Sequence, residues 1–183
     1  MWKVSVKTIV DIGIGAALFF VLGRFVAIPS PVPNVTICIQ YGLLAFMAAL
    51  FGPIAGALIG LIGHFLIDLS YGWGIWWSWV IASGVFGFLV GFLGNKTRLA
   101  FGQFGKKGAI NFNISQVINH LIAWVVVAPI LDIIIYAEPA SKVFVQGLVS
   151  AASNIVTTAI VGTLLCFAWA ATIPDKGSLK KED

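Results

Sequence analysis

Polar side chains recur at helical spacing inside otherwise apolar stretches of this chain. His64 and Asp68 are four residues apart, and Gln146, Ser150 and Asn154 follow at the same interval. Side chains three or four residues apart lie on one face of a helix. Buried amides, hydroxyls and ionisable groups need hydrogen-bond partners, which a bound solute can supply. The pattern therefore predicts helix faces that bind a small, hydrogen-bonding solute.

Tryptophans accompany these polar positions. Trp76, Trp79 and Ser83 share one side of a predicted helix, and Trp124 lies deep in another apolar segment. Indole rings stack on aromatic solutes, while amides and hydroxyls bind their heteroatoms. Together these faces predict a cup for a small aromatic ligand. For Trp73, Trp76, Trp77 and Trp79, an aromatic belt at the outer membrane interface is the alternative interpretation.

The polar residues also have purely structural alternatives. Asp68 could pair with His64 or Arg24 to neutralise charge at a membrane edge. Ser150 and Ser153 could hydrogen-bond to the backbone of their own helix. The amide side chains are the stronger indicators of a binding site, because each buried amide needs several partners.

The sequence offers no motif for catalysis or for ATP hydrolysis. It lacks a Walker A sequence, a paired-cysteine metal motif and a nucleophile elbow. His64 and His120 lie on different segments, without the spacing of a zinc-protease helix. We therefore expect no enzyme activity, no bound cofactor and no metal. An intramembrane enzyme that uses His64 and Asp68 as acid and base is a weaker alternative.

Composition places the chain in a membrane. Its 183 residues are 60% hydrophobic and 10% charged, with a mean hydropathy of +1.01, whereas a soluble domain has about 25% charged residues. The composition predicts a single transmembrane domain over 1–183, without a soluble domain. The net charge of +4 is explained by positive loops, so a nucleic-acid partner is not expected.

Six apolar segments predict an all-α, six-transmembrane-helix bundle. Their approximate bounds are 8–28, 37–51, 53–69, 75–93, 111–131 and 141–171. The breaks fall at Pro29, at Gly52-Pro53 and at further turns, where a helix cannot continue. The second and third segments are shorter than the roughly 20 residues needed to span. A re-entrant hairpin is the alternative for these two segments.

Orientation follows from the positive charges. All Lys and Arg residues except Arg24 and Lys142 fall on the N-terminal side of this bundle. Because cytoplasmic loops carry the excess of Lys and Arg, both termini are predicted to be cytoplasmic in a multi-pass protein of the bacterial plasma membrane. The polar faces then lie in the outer half, Asp68, Asp132 and Glu138 lie at the outer surface, and the inner half is apolar. This predicts a pocket open to one side rather than a pore.

The segment from Pro29 to Asn34 carries three prolines in five positions and is predicted to be stiff and largely extended. A ligand of roughly a dozen heavy atoms binds tightly only when it is almost fully buried. The loop is therefore predicted to close over the cup as a lid, with a plain connector as the alternative.

Several motifs resemble one family of membrane subunits. They are Gly13-Ile14-Gly15-Ala16-Ala17-Leu18-Phe19, Gly23-Arg24-Phe25-Val26-Ala27-Ile28-Pro29, Phe51-Gly52-Pro53, Gly63-His64-Phe65-Leu66-Ile67-Asp68 and Trp76-Trp77-Ser78-Trp79. With the six predicted helices, they resemble the S component, the substrate-binding subunit of an energy-coupling factor (ECF) vitamin transporter. The likeness is to a subgroup assigned to hydroxymethylpyrimidine, a thiamine precursor, or to pyridoxine.

This resemblance implies a division of labour. The chain would capture the solute from outside with high affinity and associate with a transmembrane coupling subunit (EcfT-type) and two ABC-type ATPase subunits that use ATP. Gly13 and Ala17 would dock onto the coupling subunit. The implied site residues are Pro33, Asn34, Trp76, Trp79, Ser83, Trp124, Gln146, Ser150 and Asn154, to which chemistry adds His64 and Asp68. A stand-alone channel or facilitator for a small neutral solute is the alternative function, and the apolar inner half argues against it.

Overall fold

A computed structural model describes residues 6–72, 74–94, 97 and 99–173. Trp73, one of the tryptophans of the predicted outer interface, lies outside the described residues. So do six of the positive residues on which the predicted orientation rests, namely Lys3, Lys96, Arg98, Lys176, Lys180 and Lys181.

Apolar helices make up the described structure. They are α1 (Val6–Phe25), α2 (Gln40–Phe51), α3 (Pro53–Tyr71), α4 (Trp77–Gly94), α5 (Lys106–Tyr136) and α6 (Ala140–Thr172). All but α2 are long and apolar enough to cross a membrane. The all-helical fold is therefore confirmed. Six membrane crossings and cytoplasmic termini stay predictions, since α2 has only 12 residues.

The break between α2 and α3 lies where the sequence places it. Gly52 adopts a φ of 94°, which a residue with a Cβ rarely does, and Pro53 occupies the first turn of α3. At the other end of α3, Gly72 ends the helix in the left-handed conformation with a φ of 77°. These breaks reverse the chain sharply, so α2, α3 and α4 pack as neighbours.

The proline-rich segment forms a small β-hairpin. The helices on either side of it are therefore shorter at this end than the sequence predicts. Strand β1 (Ile28–Pro29) pairs antiparallel with β2 (Thr36–Ile37). The prediction that the first helix reaches Ile28 and the second begins at Ile37 is wrong, because those two residues face each other in the ladder. Pro29 disfavours helical geometry in the residue before it, so α1 ends at Phe25.

Helices α3 and α4 approach each other closely through glycine. A Cβ added at Gly87 would lie 2.1 Å from the carbonyl oxygen of Gly56, and one added at Gly56 would lie 2.3 Å from that of Gly87. Only residues without a side chain allow two helices this near. The packing sets the distance between the polar faces of α3 and α4.

Helices α5 and α6 each contain a π-helical segment, over Ile122–Val127 and Thr158–Gly162 respectively. Such widened turns are often found at functional sites. Trp124, predicted to lie in the site, belongs to the first of these segments. The periodicity of the sequence gives no sign of either segment.

Gly87→Ala should destabilise the protein. The added methyl group would clash with the backbone of Gly56, and overpacking of this kind costs about 1–3 kcal/mol. The matched control is Gly13→Ala, whose new methyl group meets nothing within 4 Å. We expect a lower thermal unfolding midpoint in detergent for Gly87→Ala only. Equal midpoints for the two variants would contradict the packing argument.

Candidate functional site

Two adjoining cavities open at the end of the bundle that carries the β-hairpin, which we call the hairpin end. The larger has a volume of about 310 Å³ and the smaller about 140 Å³. Their walls share Asn34, His64, Asp68 and Trp79. The two spaces therefore form one site with two compartments.

The structure brings together nearly all residues predicted for the site. The larger cavity is lined by Asn34, His64, Asp68, Trp76, Trp79 and Gln146, together with Asp132, Glu138, Lys142 and Val143. The smaller cavity adds Trp124, Ser150 and Asn154, together with Gln40, Tyr41 and residues of the hairpin. Of the predicted residues, Pro33 and Ser83 line neither cavity.

Pro33 and Ser83 support the walls. The side-chain amide of Gln146 donates to the carbonyl oxygen of Pro33 at 2.9 Å, which ties the hairpin to α6. The Ser83 hydroxyl is fully buried, 2.6 Å from His64 Nδ1 and 2.9 Å from the Tyr41 hydroxyl. These bonds fix the cavity-lining side chains rather than reaching the cavity themselves.

Asp132 is the residue that sequence reasoning missed. It is only 1% exposed, and it accepts hydrogen bonds from the indole N–H groups of Trp76 at 2.6 Å and Trp79 at 2.8 Å and from the hydroxyl of Ser78. The prediction that Asp68 and Asp132 lie at the outer surface is wrong, because both are buried, at 6% and 1% exposed, and the three donors hold Asp132 inside the bundle. An acidic residue inside an apolar segment was the available signal, and the tryptophan–serine run as its partner is visible only in the structure.

This contact also changes the interpretation of the tryptophans. Trp76 precedes α4 rather than lying on its face, and its ring stacks on Tyr136 with 4.2 Å between centroids. Trp124 is fully buried and lies 5.3 Å from the ring of Trp79. A membrane belt does not explain the buried Trp124 or the hydrogen bonds of Trp76 and Trp79 to Asp132. It suits Trp77, whose side chain is 48% exposed, and Trp76 is also partly exposed, at 38%.

Asp68 lies at the junction of the two cavities. One of its oxygens accepts the backbone N–H of Trp76 at 2.9 Å, and the other lies 3.7 Å from Nε2 of His64. The alternative partner, Arg24, instead places its guanidinium over the ring of Tyr71 at 4.2 Å. Of the two structural alternatives for Asp68, only the contact with His64 exists, and it is longer than a hydrogen bond.

Ser153 and Asn154 of α6 differ in whether their side-chain oxygens have hydrogen-bond partners. Ser153 donates to the carbonyl of Ser150 at 3.1 Å, so it bonds the backbone of its own helix. Asn154 is 3% exposed, yet its Oδ1 atom finds no hydrogen-bond partner among the described residues. An unsatisfied buried carbonyl oxygen costs about 1–3 kcal/mol. A donor on a bound solute would remove that cost.

A chain of buried hydrogen bonds runs from the smaller cavity into the bundle. Trp124 donates its indole N–H to Nδ1 of His120 at 3.0 Å, and Nε2 of the same ring lies 3.0 Å from the hydroxyl of Thr158. Thr158 opens the π-helical segment of α6. The wall of the cavity is thus linked to the two widened turns.

The half of the bundle away from the hairpin end is not uniformly apolar, contrary to the prediction. On α5, Asn113 donates to the hydroxyl of Thr163 at 2.9 Å, and the amide of Gln116 reaches Asn113 and the carbonyl of Ile155 at 3.4 Å. These side chains bond one another and line neither cavity. They join α5 to α6 and do not form an open polar path.

Metal binding finds no support in the geometry. Within residues 6–72, 74–94, 97 and 99–173, no three His, Cys, Asp or Glu side chains gather as a metal site would require. The arrangement instead suits recognition of an organic solute by rings, amides and carboxylates.

Comparison with known proteins decides the family. Residues 3–171 match the family model described as ECF-type riboflavin transporter, S component. The chain belongs to the S-component family of ECF transporters. S components are substrate-binding membrane proteins rather than enzymes, and they work with an EcfT-type subunit and ATPase modules. The resemblance to this family is therefore confirmed, while the hydroxymethylpyrimidine or pyridoxine subgroup stays a prediction.

Relatives and a solved structure extend this comparison. A UPF0397 protein of Enterococcus faecalis is 52% identical over 180 residues, 98% of this chain and 98% of that protein. UPF0397 protein SAS2570 of Staphylococcus aureus is 51% identical over 179 residues, 98% and 97% of the two chains. The crystal structure of the S-component for biotin from an ECF-type ABC transporter matches 88% of this S component and 89% of its own chain, with a TM-score of 0.63 and 18% identity. At that identity the likeness shows the fold alone.

Asp132→Asn should disturb the tryptophan wall. The new amide presents N–H groups to donors that need an acceptor, which leaves an indole or hydroxyl unpaired at about 1–3 kcal/mol. We expect a lower unfolding midpoint and a shifted tryptophan emission spectrum. Asp11→Asn, the same change on α1 away from both cavities, serves as control. If both variants keep the wild-type spectrum and midpoint, Asp132 does not hold the indoles.

Proposed function

We propose that this S component captures a small heterocyclic vitamin or vitamin precursor and delivers it inward through an ATP-driven coupling module. Hydroxymethylpyrimidine is the first candidate and pyridoxine the next. The observation that carries the proposal is the site with two compartments, in which indole rings, amides and carboxylates converge at the hairpin end. Indoles stack on an aromatic ring, and the polar groups select its heteroatoms.

The size of the site supports a small solute. The larger cavity, at about 310 Å³, lies at the lower end of the usual range for ligand pockets, which begins at about 300 Å³. A single substituted ring fits within it. Riboflavin, favoured by the description of the matching family model, is a second candidate. Its three fused rings and sugar-like chain would need both compartments.

The hairpin supports capture with burial. It contributes Asn34 to both cavities, and Gln146 holds its Pro33 carbonyl from the opposite side. A short hairpin with two-residue strands, tied to α6 through Gln146, can open and close more readily than a transmembrane helix. We infer that it is the lid, and that the hairpin end faces the outside, as the positive charges of the opposite end suggest.

The channel alternative is less well supported. A facilitator needs a polar path through both halves of the bundle. The polar side chains found away from the hairpin end, such as Asn113 and Gln116, bond to neighbouring helices instead of lining a cavity. Solute release therefore depends on movement of the whole subunit or of its helices, which the partner ATPases would drive.

Calorimetric titration of the purified full-length protein tests the proposal. Hydroxymethylpyrimidine, pyridoxine and riboflavin are each added to the detergent-solubilised chain. We expect one of them to bind with a dissociation constant in the nanomolar to micromolar range. If none of the three binds, capture of these named solutes at this site is contradicted.

Asn154→Ala and Gln146→Ala should each weaken that binding by about 1–3 kcal/mol, the cost of leaving a buried polar partner unpaired. Ser153→Ala is the matched control on the same helix, because its hydroxyl bonds only the helix backbone. Unchanged affinity in both test variants would remove α6 from the site.

We propose that the coupling subunit docks on the side of α1 that faces away from the helix bundle. Gly13 and Ala17 are exposed there, four residues apart, and nothing lies within 4 Å of a Cβ added at Gly13. Small residues on an exposed face allow another helix to approach closely. Nothing within the described part of this chain covers these two positions.

Ala17→Leu should block assembly with the coupling module and leave solute binding intact. The larger side chain fills the shallow face without touching the cavities. Ala152→Leu, the same change at an exposed position of α6, serves as control. Co-purification of the partner subunits with each variant measures the effect. Wild-type yields of complex with Ala17→Leu would contradict the docking face.

A further inference from the structure

The charged residues that line the site are mostly acidic. The larger cavity is lined by the carboxylates of Asp68, Asp132 and Glu138. Among the described residues, Lys142 is the one lysine or arginine in its wall. The Lys142 ammonium lies 2.7 Å from the Glu138 carboxylate, so these two neutralise each other. Two carboxylates, Asp68 and Asp132, are left without a cationic partner among the described residues, apart from His64 at 3.7 Å from Asp68.

Four hydrogen-bond donors of the wall, three indoles and one amide, are already used within the protein. The indole N–H groups of Trp76 and Trp79 are donated to Asp132, and that of Trp124 is donated to His120. The amide of Gln146 donates to the hairpin. A solute that offers only acceptors therefore finds few free donors on these side chains.

Hydrogen-bond acceptors, by contrast, remain free. Asn154 Oδ1 and Gln40 Oε1 both belong to residues that line the smaller cavity and are at least nine-tenths buried, and neither atom has a partner among the described residues. Asp68, which lines both cavities, accepts one backbone N–H and has lone pairs to spare. The free acceptors are a second observation, separate from the excess of acidic residues. They point to a ligand that donates hydrogen bonds, as the acidic wall points to a ligand with positive charge.

We propose that the captured solute is a heteroaromatic cation whose ammonium or charged nitrogen lies beside Asp68, at the junction of the two cavities. The inference rests on the proposed function and, within its class of small heterocyclic solutes, favours cationic amines of these rings over hydroxymethylpyrimidine and pyridoxine themselves. The ammonium or protonated nitrogen offers donors and no acceptor, which matches the free acceptors of Asn154, Gln40 and Asp68. Its charge replaces the missing partner of the acidic wall, and the neighbouring indole faces stabilise it further by cation–π contact.

Pairs of ligands that share a ring and differ in one charged group test directly whether the site prefers a cation. Hydroxymethylpyrimidine is compared with its aminomethyl analogue, and pyridoxine with pyridoxamine, by titration of the purified full-length protein at neutral pH. In each pair an ammonium replaces a hydroxyl and the ring is unchanged. We expect the ammonium member of at least one pair to bind about tenfold tighter or more, a difference of about 1.4 kcal/mol.

Substitution of Asp68 tests whether this residue is the source of the preference for the ammonium ligands. Asp68→Asn should abolish the preference, because the ammonium member should lose about tenfold more affinity than the hydroxyl member, and Asp68→Glu should retain the preference. Asp11→Asn, the same charge change on α1 away from the cavities, should leave the preference at its wild-type value. A preference that persists in Asp68→Asn would overturn the assignment to Asp68. Should this variant fail to fold, the wild-type comparison of each pair still decides whether the solute is a cation.

The outcomes separate this inference from the proposed function. If the hydroxyl members bind as tightly as the ammonium members, the proposal of a cationic solute is overturned and the proposal of solute capture stands. If riboflavin alone binds, the cation is also overturned, because riboflavin is uncharged, and the importer role stands. If no ligand of either pair binds and riboflavin does not bind, both proposals are overturned.

Discussion

The buried carboxylate of Asp132 is the contact on which the site depends. It receives two indole N–H groups and one hydroxyl from the start of α4, and so fixes Trp76 and Trp79 against α5. Removing a carboxylate from water is costly unless several donors replace the lost hydration. The tryptophan–serine run supplies those donors. In return, the carboxylate prevents the rings from turning their polar edges into the cavity, which leaves ring faces for a solute.

The rest of the bundle serves this arrangement by holding α3, α4 and α6 at fixed distances. Direct contact between Gly56 and Gly87 brings α3 against α4, and the bond from Gln146 to Pro33 joins α6 to the hairpin. Apolar packing alone discriminates weakly between helix faces in lipid, so small residues and interhelical hydrogen bonds carry the specificity. Hydrogen bonds within the protein also use the indole N–H groups of Trp76, Trp79 and Trp124 and the amide of Gln146. The carboxylate of Asp68 and the buried oxygen of Asn154 keep lone pairs for a ligand, and the proposed cationic solute rests on these groups.

The sequence predicts the scaffold and most of the wall, and it fails where side chains from distant helices meet. The four-residue spacing on α6 places Ser150 and Asn154 together because helical periodicity is local. The role of Asp132 was not predictable in this way, since it arises from contacts with residues more than 50 positions away in the chain. The π-helical segments and the Asn113–Thr163 contact are likewise tertiary effects. Periodicity shows which face is polar but not what that face touches.

Mass spectrometry of small molecules released from the purified protein tests the central claim most directly. The claim is that a wall of indoles held by Asp132 retains a small heteroaromatic solute. The wild-type protein is predicted to release one such compound in near-stoichiometric amount, and Asp132→Asn, prepared in the same way, is predicted to release much less. Release of no heteroaromatic compound by the folded wild-type protein, or of equal amounts by the two proteins, would contradict the account.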